Sequence, residues 1–404
     1  MSSKKSLQPG EPPEMPNEEP ERFPLHLLQQ QPGARQEYFE QQCLIEHPRL
    51  LTALDATLQA ICSPGEGASM RRPGTMVLVI GPSRVGKTTL IRLLEQQLLA
   101  KCEEQMRRDP SFIPFASITA AGPEASRFDW PTYYRAVLRG LQDPFVDGKT
   151  ARIRTRELRE AMESALLHRQ PLALIVDEAH HLAKASSGRR LQDQLDHLKY
   201  FENLTGVSHI LVGTYEMRPF RTVNAQLACR SIDVHFPRYD AAKEDDAQLF
   251  QSALWALQRQ LPVEEEPLLA EQAWEFLYAR SIGCIGLLKL HLNRALGLAL
   301  SEGAKTITLA HLQQTALSEA RVTLALRNAI ESEAELVEAE GADERLLTLM
   351  GLRGSQTPLK STVSAQEEQK SDQPTPRPRK RPGKRGAGRD DIGNVPGEEG
   401  QAAG

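Results

Sequence analysis

The stretch Thr75-Met-Val-Leu-Val-Ile-Gly-Pro-Ser-Arg-Val-Gly-Lys-Thr-Thr89 decides the fold class of this chain. A short β-branched apolar run enters Gly81-x-x-x-x-Gly86-Lys87-Thr88, and Leu90-Ile91-Arg92-Leu93-Leu94 continues at once in a helical pattern. Strand, glycine loop and helix N-terminus in that order make a cradle for phosphate. The loop Gly81, Pro82, Ser83, Arg84, Val85 and Gly86 lets successive backbone N–H groups point at phosphate oxygens, and the helix dipole favours the negative charge. Lys87 is expected to reach the β- and γ-phosphates and the Thr88 hydroxyl to ligate Mg²⁺, with Thr89 completing the helix start. The pattern predicts a site for ATP with Mg²⁺.

The rest of the composition is ordinary. The chain has 404 residues, 40% of them hydrophobic and 25% charged, enough for one large or two to three ordinary domains. Five cysteines (Cys43, Cys62, Cys102, Cys229, Cys284) are scattered without a C-x-x-C pair. That spacing argues against a zinc site or a disulfide framework and fits a reducing compartment. No apolar run approaches the ~18 residues of a membrane span, and the N-terminus is hydrophilic, so a cytoplasmic protein without membrane contact is expected. The net charge is −4, so any nucleic-acid binding must come from a local patch.

Outward from the glycine loop, strands and helices alternate. Ile113–Ile118, Leu172–Val176, His209–Val212 and Ile232–Phe236 read as further strands. Helical patterns lie between them, one opening at Pro131 and another carrying Leu195, Leu198, Phe201 and Leu204. Continuous apolar strands joined by helices mean a parallel sheet covered on both faces. Residues 1–24 are Pro-, Glu- and Ser-rich and expected to be disordered. A helical element is expected over 25–70, packed beside the nucleotide core, and the α/β nucleotide-binding domain over 71–238. A small all-helical lid over 239–330 follows, with Thr308 as a candidate N-cap. A C-terminal helix is expected over 331–354, and a disordered tail over 355–404.

Several residues beyond the loop carry candidate chemistry. Asp177-Glu178 closes an apolar strand roughly 90 residues after Lys87. Asp177 is expected to hold the Mg²⁺ shell beside Thr88, and Glu178 to polarise the water that attacks the γ-phosphate. An Asp-Glu pair after a strand is also an ordinary helix N-cap, but behind a phosphate loop the metal and base reading prevails. Thr214 ends the next strand where a sensor of the γ-phosphate would sit, or where a threonine simply ends a strand. Arg230, with Arg218 and Arg221 as competitors, is a candidate arginine finger for a neighbouring subunit. His180-His181 is expected to diverge around a helix and to hold no metal. For DNA, Lys149-Thr150-Ala151-Arg152 lies in a basic loop able to hold phosphates without reading sequence, although a solvated helix start reads the same way. The tail cluster Arg377–Arg389 suits nucleic acid, an acidic partner or solubility alone.

The glycine loop, Leu174-Ile-Val-Asp-Glu-Ala-His-His-Leu182, Leu211-Val-Gly-Thr-Tyr-Glu216, Leu227-Ala-Cys-Arg230 and the helical lid together resemble AAA+ ATPases. Within them the chain looks like the TniB/TnsC group, ATPase regulators of bacterial DNA transposition. His47-Pro-Arg-Leu50 and Leu198-Lys-Tyr200 also look like that group. The resemblance covers about residues 36–325. It implies a homo-oligomeric ring or filament on double-stranded DNA, bound largely without sequence preference. It also implies partnership with a transposase and target-selector proteins, and ATP hydrolysis to ADP and phosphate that drives disassembly. It places Lys149, Thr150 and Arg152 where the group's pore-facing DNA contacts occur. Gly283-Cys-Ile-Gly286 departs from the pattern, with glycine where many AAA+ proteins carry a sensor-2 arginine, and Lys289 is the candidate substitute. A helicase loader or replication-initiation ATPase, a secretion-associated ATPase and a signalling switch without a DNA role are the rival readings.

Overall fold

The computed structural model describes residues 20–62, 74–122, 128–144, 153–184, 189–222, 231–336 and 342–352. Aliphatic and β-branched runs form its strands because such side chains suit a pleated, doubly covered surface. They are β1 (Met76–Ile80), β2 (Phe115–Thr119), β3 (Ala173–Asp177), β4 (Ser208–Gly213) and β5 (Ser231–His235). All pair in parallel, in the order β2-β3-β4-β1-β5. The helices in chain order are α1 (Pro32–Glu37), α2 (Pro48–Ile61), α3 (Lys87–Arg108), α4 (Trp130–Gly140) and α5 (Thr155–Arg169). Then come α6 (His180–Lys184), α7 (Arg189–Thr205) and α8 (Pro219–Thr222).

Strand alternation divides the core in two. Leu78, Leu174, Val176 and Leu211 face a layer made by α4, α5 and α7, with Tyr134, Leu166 and Leu198 among its buried side chains. Val77, Val79, Ile175, Ile210 and Val212 face α2 and α3. Leu90, Leu94, Leu98 and Cys102 of α3, at i+4 spacing, are all fully buried on that second face. Burying each such side chain stabilises the fold by roughly 1.5–3 kcal/mol. β1 has neighbours on both sides and every residue buried, whereas the edge strand β2 alternates and the edge strand β5 buries only Val234. Among the described residues no single helix is long and apolar enough to cross a membrane.

After Phe236 the chain is helical: α9 (Glu244–Arg259), α10 (Leu269–Gln272), α11 (Trp274–Ser281), α12 (Ile285–Ser301) and α13 (Leu309–Thr315). Their apolar faces meet in a third core that includes Phe250, Leu254, Leu277, Leu288 and Leu296. Thr308 caps α13, its N–H donating to His311 Nδ1 at 3.0 Å. α14 (Glu319–Leu336) is continuous through residue 330, so the expected boundary between the lid and a C-terminal helix falls inside it.

The N-terminal element divides between two cores instead of packing only on the sheet. α2 joins the sheet-side core through Leu50, Leu54 and Ile61. Phe39 and Cys43, just after α1, are buried in the lid core. Arg35 Nε donates to the Pro262 carbonyl at 2.8 Å, and Tyr38 Oη donates to Gln260 Oε1 at 2.8 Å. Apolar spacing finds such helices but does not say which of two cores receives them. Residues 339–404 form a separate unit whose described part is α15 (Ala342–Leu349) and the turn that follows, with Leu346 and Leu349 exposed.

Candidate active site

β1, β3 and β4 end on one edge of the sheet, with Ile80 opposite Gly213 and Asp177 opposite Thr119. The loop after β1 is locked there. Gly81 N–H donates to the Gly213 carbonyl at 3.3 Å, and a Cβ at Gly81 would stand 2.2 Å from the Phe236 carbonyl oxygen. Arg84 at φ +64° and Gly86 at φ +125° turn the loop back into α3, which needs the left-handed region. This is a concave backbone nest at a helix N-terminus, the arrangement that binds anions.

Pro82, Ser83, Arg84, Gly86, Lys87, Thr88 and Thr89 line a cleft of about 940 Å³ together with Asp177, Glu178 and Thr214. Val85 turns its side chain into the sheet-side core. Lys87 is buried, and its Nζ donates to the carbonyls of Gly81 at 3.2 Å and Pro82 at 2.7 Å. Burial pushes its ammonium down to about 8, against the pull of the nearby Glu178 and Asp177. A cation held on two neutral carbonyls in a desolvated cradle is short of an anion. Burial also holds the Asp177 carboxyl above its ordinary value, with the Glu178 charge adding to the effect. Asp177 Oδ1 accepts from the Glu178 N–H at 2.7 Å, and Glu178 sits at φ +53°. The loop and the strand-end acids, 90 residues apart in sequence, therefore face one space able to hold a triphosphate and activate water against it.

Residues 70–220 match the family model described as AAA domain. The chain carries an AAA+ ATPase domain. Its parallel sheet and its phosphate loop are those of this class, and the protein hydrolyses ATP. Among solved structures the chain is similar to the Aeropyrum pernix ORC1 protein in complex with DNA. Identity there is 17% over 76% of this chain and 73% of that one, with a TM-score of 0.47. It is also similar to the ORC2 protein of the same organism in ADPNP–ADP complexes (13%, 74% and 69%, TM-score 0.42). A third is a Walker-type ATPase of Pyrococcus abyssi (14%, 73% and 76%, TM-score 0.43). No curated protein matches the sequence.

The AAA+ cleft holds residues that sequence reasoning missed. The lid reaches it through Ile282 and Gly286, and α14 walls it with Arg321, Asn328 and Ser332. Polar side chains fasten α14 to the β4 side. Tyr215 Oη donates to Glu333 Oε1 at 3.3 Å, buried Arg238 lies 3.2 Å from Glu333 Oε2, and Arg218 lies 2.6 Å from Glu335 Oε2. Burial raises the Glu333 carboxyl, opposed by Arg238. No local signal in the sequence links Glu333 to Arg238.

Other expected residues stand as follows. Arg218 lines the cleft and is engaged by Glu335. Arg221 is paired with Asp233. Arg230, Lys149, Thr150 and Arg152, with the basic tail, lie outside the described residues. Lys289 does not replace a sensor-2 arginine, because its Nζ donates to the carbonyls of Glu40 at 2.9 Å and Cys43 at 2.6 Å. The glycine at position 286 has a steric reason: a Cβ there would lie 2.5 Å from the Arg84 carbonyl oxygen. The lid thus meets the phosphate loop backbone to backbone. His180 and His181 do not diverge; their ring centroids are 4.4 Å apart, and with Glu178 they bring possible ligand atoms within 4.8 Å of one another.

Proposed function

We propose that this ATPase assembles as an ATP-bound homo-oligomer on duplex DNA and acts as a target-selection switch for a transposase, with hydrolysis resetting the assembly. The observation that carries the switch is the cleft itself. Lys87, Thr88, Asp177, Glu178, Thr214, the lid and α14 all face it, so filling it with a charged nucleotide acts on several elements at once. The transposition part rests on the order of motifs described above, which is similar to that of the TniB/TnsC group.

A hydroxyl and a carboxylate beside a phosphate cradle form a hard oxygen donor set that suits Mg²⁺, so Thr88 and Asp177 would hold it. The ion supplies charge neutralisation on the phosphates. Lys87 exchanges its two carbonyl partners for phosphate oxygens, which satisfies a desolvated ammonium. Glu178 takes the proton of the attacking water, and Thr214 at the β4 end senses the γ-phosphate. Arg230 of an adjacent subunit is the proposed finger, and Lys149, Thr150 and Arg152 are the proposed DNA contacts.

The test is duplex-DNA binding with a non-hydrolysable ATP analogue, with ADP and without nucleotide, run beside Glu178→Gln with ATP. Binding that requires the analogue, and oligomers that Glu178→Gln traps on DNA, support the reading. Absence of ATP-dependent duplex binding overturns it in favour of a switch without a DNA role. Wild-type turnover in Glu178→Gln overturns the base assignment.

A further inference from the structure

Glu178 follows directly on β3, and α6 begins two residues later at His180, so base and imidazole share one tight turn. That turn is pinned to the neighbouring strand. Ala179 N–H donates to the Val212 carbonyl at 2.9 Å, and a Cβ at Gly213 would lie only 3.1 Å from the His180 nitrogen. The His180 side chain is 7% exposed, whereas that of Glu178 is 44% exposed. The imidazole therefore has a fixed place, and the carboxylate does not have one of its own.

The two ring nitrogens face different carboxylates. Nδ1 lies 3.0 Å from Glu178 Oε2, and Nε2 lies 3.6 Å from Glu216 Oε2. Thr214 Oγ1 donates to the same Glu216 oxygen at 3.5 Å. Glu178, His180, Glu216 and Thr214 thus form a line from the end of β3 to the end of β4. An Nδ1 lone pair against a carboxylate oxygen would repel, so the contact with Glu178 requires the proton on Nδ1. In that form the ring lies 3.0 Å from one oxygen of Glu178 and, once the half-exposed carboxylate turns into line with Nδ1–H, donates to it and fixes the carboxylate plane.

We propose that His180 is a positioning residue for ATP hydrolysis, holding Glu178 by its Nδ1–H. The inference rests on the reading of Glu178 as the base. It assigns His180 no contact with nucleotide. Its role is to restrict a half-exposed carboxylate on a left-handed backbone to one direction. Without the donor, Glu178 samples several rotamers and the productive fraction falls. Misplacing a reacting group by about 1 Å costs on the order of 10²-fold in rate, which sets the upper end of the expected loss.

Asparagine and glutamine separate orientation from packing. The Asn amide nitrogen reaches the place of Nδ1, whereas the Gln amide nitrogen reaches that of Nε2. In the full-length chain, His180→Ala and His180→Gln should lower kcat roughly 10- to 100-fold while leaving KM and the affinity for a fluorescent ATP analogue unchanged. His180→Asn should recover most of the loss. Nitrogen-15 shifts of the His180 ring, read without nucleotide, should show a protonated Nδ1. The inference is overturned if His180→Ala turns over at the wild-type rate, if Asn and Gln behave alike, or if Nε2 alone carries the proton. Should the alanine variant fail to fold, the Asn–Gln comparison and the ring shifts still decide. Glu178→Gln, measured beside them, keeps the two readings apart. Turnover there removes the base assignment, whereas an inactive Glu178→Gln with active His180 variants removes only the positioning role.

Discussion

Gly286→Ala perturbs one backbone contact between the lid and the phosphate loop, and its size can be worked from the geometry. The added Cβ would stand 2.5 Å from the Arg84 carbonyl oxygen, against about 3.4 Å for ordinary contact, so roughly 0.9 Å must be found by moving backbone. Neither side gives easily. Arg84 is in the left-handed turn of the cradle, and Gly286 lies in the first turn of α12. Overpacking of this kind costs about 1–3 kcal/mol, and the better helix propensity of alanine returns at most ~1 kcal/mol. A net loss of about 1–2 kcal/mol is expected, with weaker ATP binding because the displaced carbonyl belongs to the cradle. Gly297→Ala is the control within the same helix. There the Cβ meets only the end of the Gln36 side chain, at 2.6 Å from Nε2. Loss of the Gln36 hydrogen bond to the Asn293 carbonyl roughly balances the gain in propensity. Urea unfolding and titration with a fluorescent ATP analogue measure both quantities. If Gly286→Ala matches Gly297→Ala in stability and binds ATP like the wild type, the lid does not rest on the loop as described.

The two acids of α14 should differ: Glu333→Ala strands the buried Arg238 and should cost about 3 kcal/mol, whereas Glu335→Ala removes an exposed partner and should cost at most ~1 kcal/mol in the same unfolding assay. His209 is fully buried and held down to about 4 by desolvation, so the unfolded chain binds the extra proton between about 4 and 6.5. Stability should therefore fall as pH drops through that window, and His209→Gln should flatten the slope by about 1.4 kcal/mol per pH unit, read from urea midpoints against pH. Replacing Lys149 and Arg152 by Ala should weaken duplex binding for all sequences and reduce the log–log salt slope by about 0.9 for each phosphate that is no longer neutralised. An unchanged slope would remove that loop from the DNA surface.

What the sequence made legible follows the range of its signals. The central strands are readable as short apolar runs and the edge strands β2 and β5 from apolar residues interleaved with polar ones, and β1 with α3 is readable because the glycine loop fixes what precedes and follows it. Lys87, Thr88, Asp177 and Glu178 came from local motifs whose spacing the parallel topology brings to one edge. The residues missed all depend on long-range geometry. Glu333 finds Arg238 across 95 positions, and Gly286 touches Arg84 across the lid. Lys289 looked like a free cation for the nucleotide because nothing local shows the carbonyls of Glu40 and Cys43 around it. His180 and His181 were expected to diverge by helical rotation. Their place at the very start of α6, on a turn opened by Glu178 at positive φ, brings the rings together instead.

The division of the N-terminal element has a mechanical consequence. Phe39 is embedded in the lid core and Leu50 in the sheet-side core, with only Cys43–His47 between the helical turn ending at Gln42 and the start of α2. Five residues pulled straight span about 17 Å. The lid is therefore on a leash of fixed length that is separate from its covalent hinge after β5. Rotation within that reach must first strip Cys43 and Ile45 from the lid core and break the His47–Tyr239 contact. Rotation beyond it must also draw an aromatic ring out of the lid, a further penalty on the order of 1.5–3 kcal/mol. A nucleotide cycle on this ATPase would work inside that stop, so shortening or lengthening Cys43–His47 should reset how far the cleft opens.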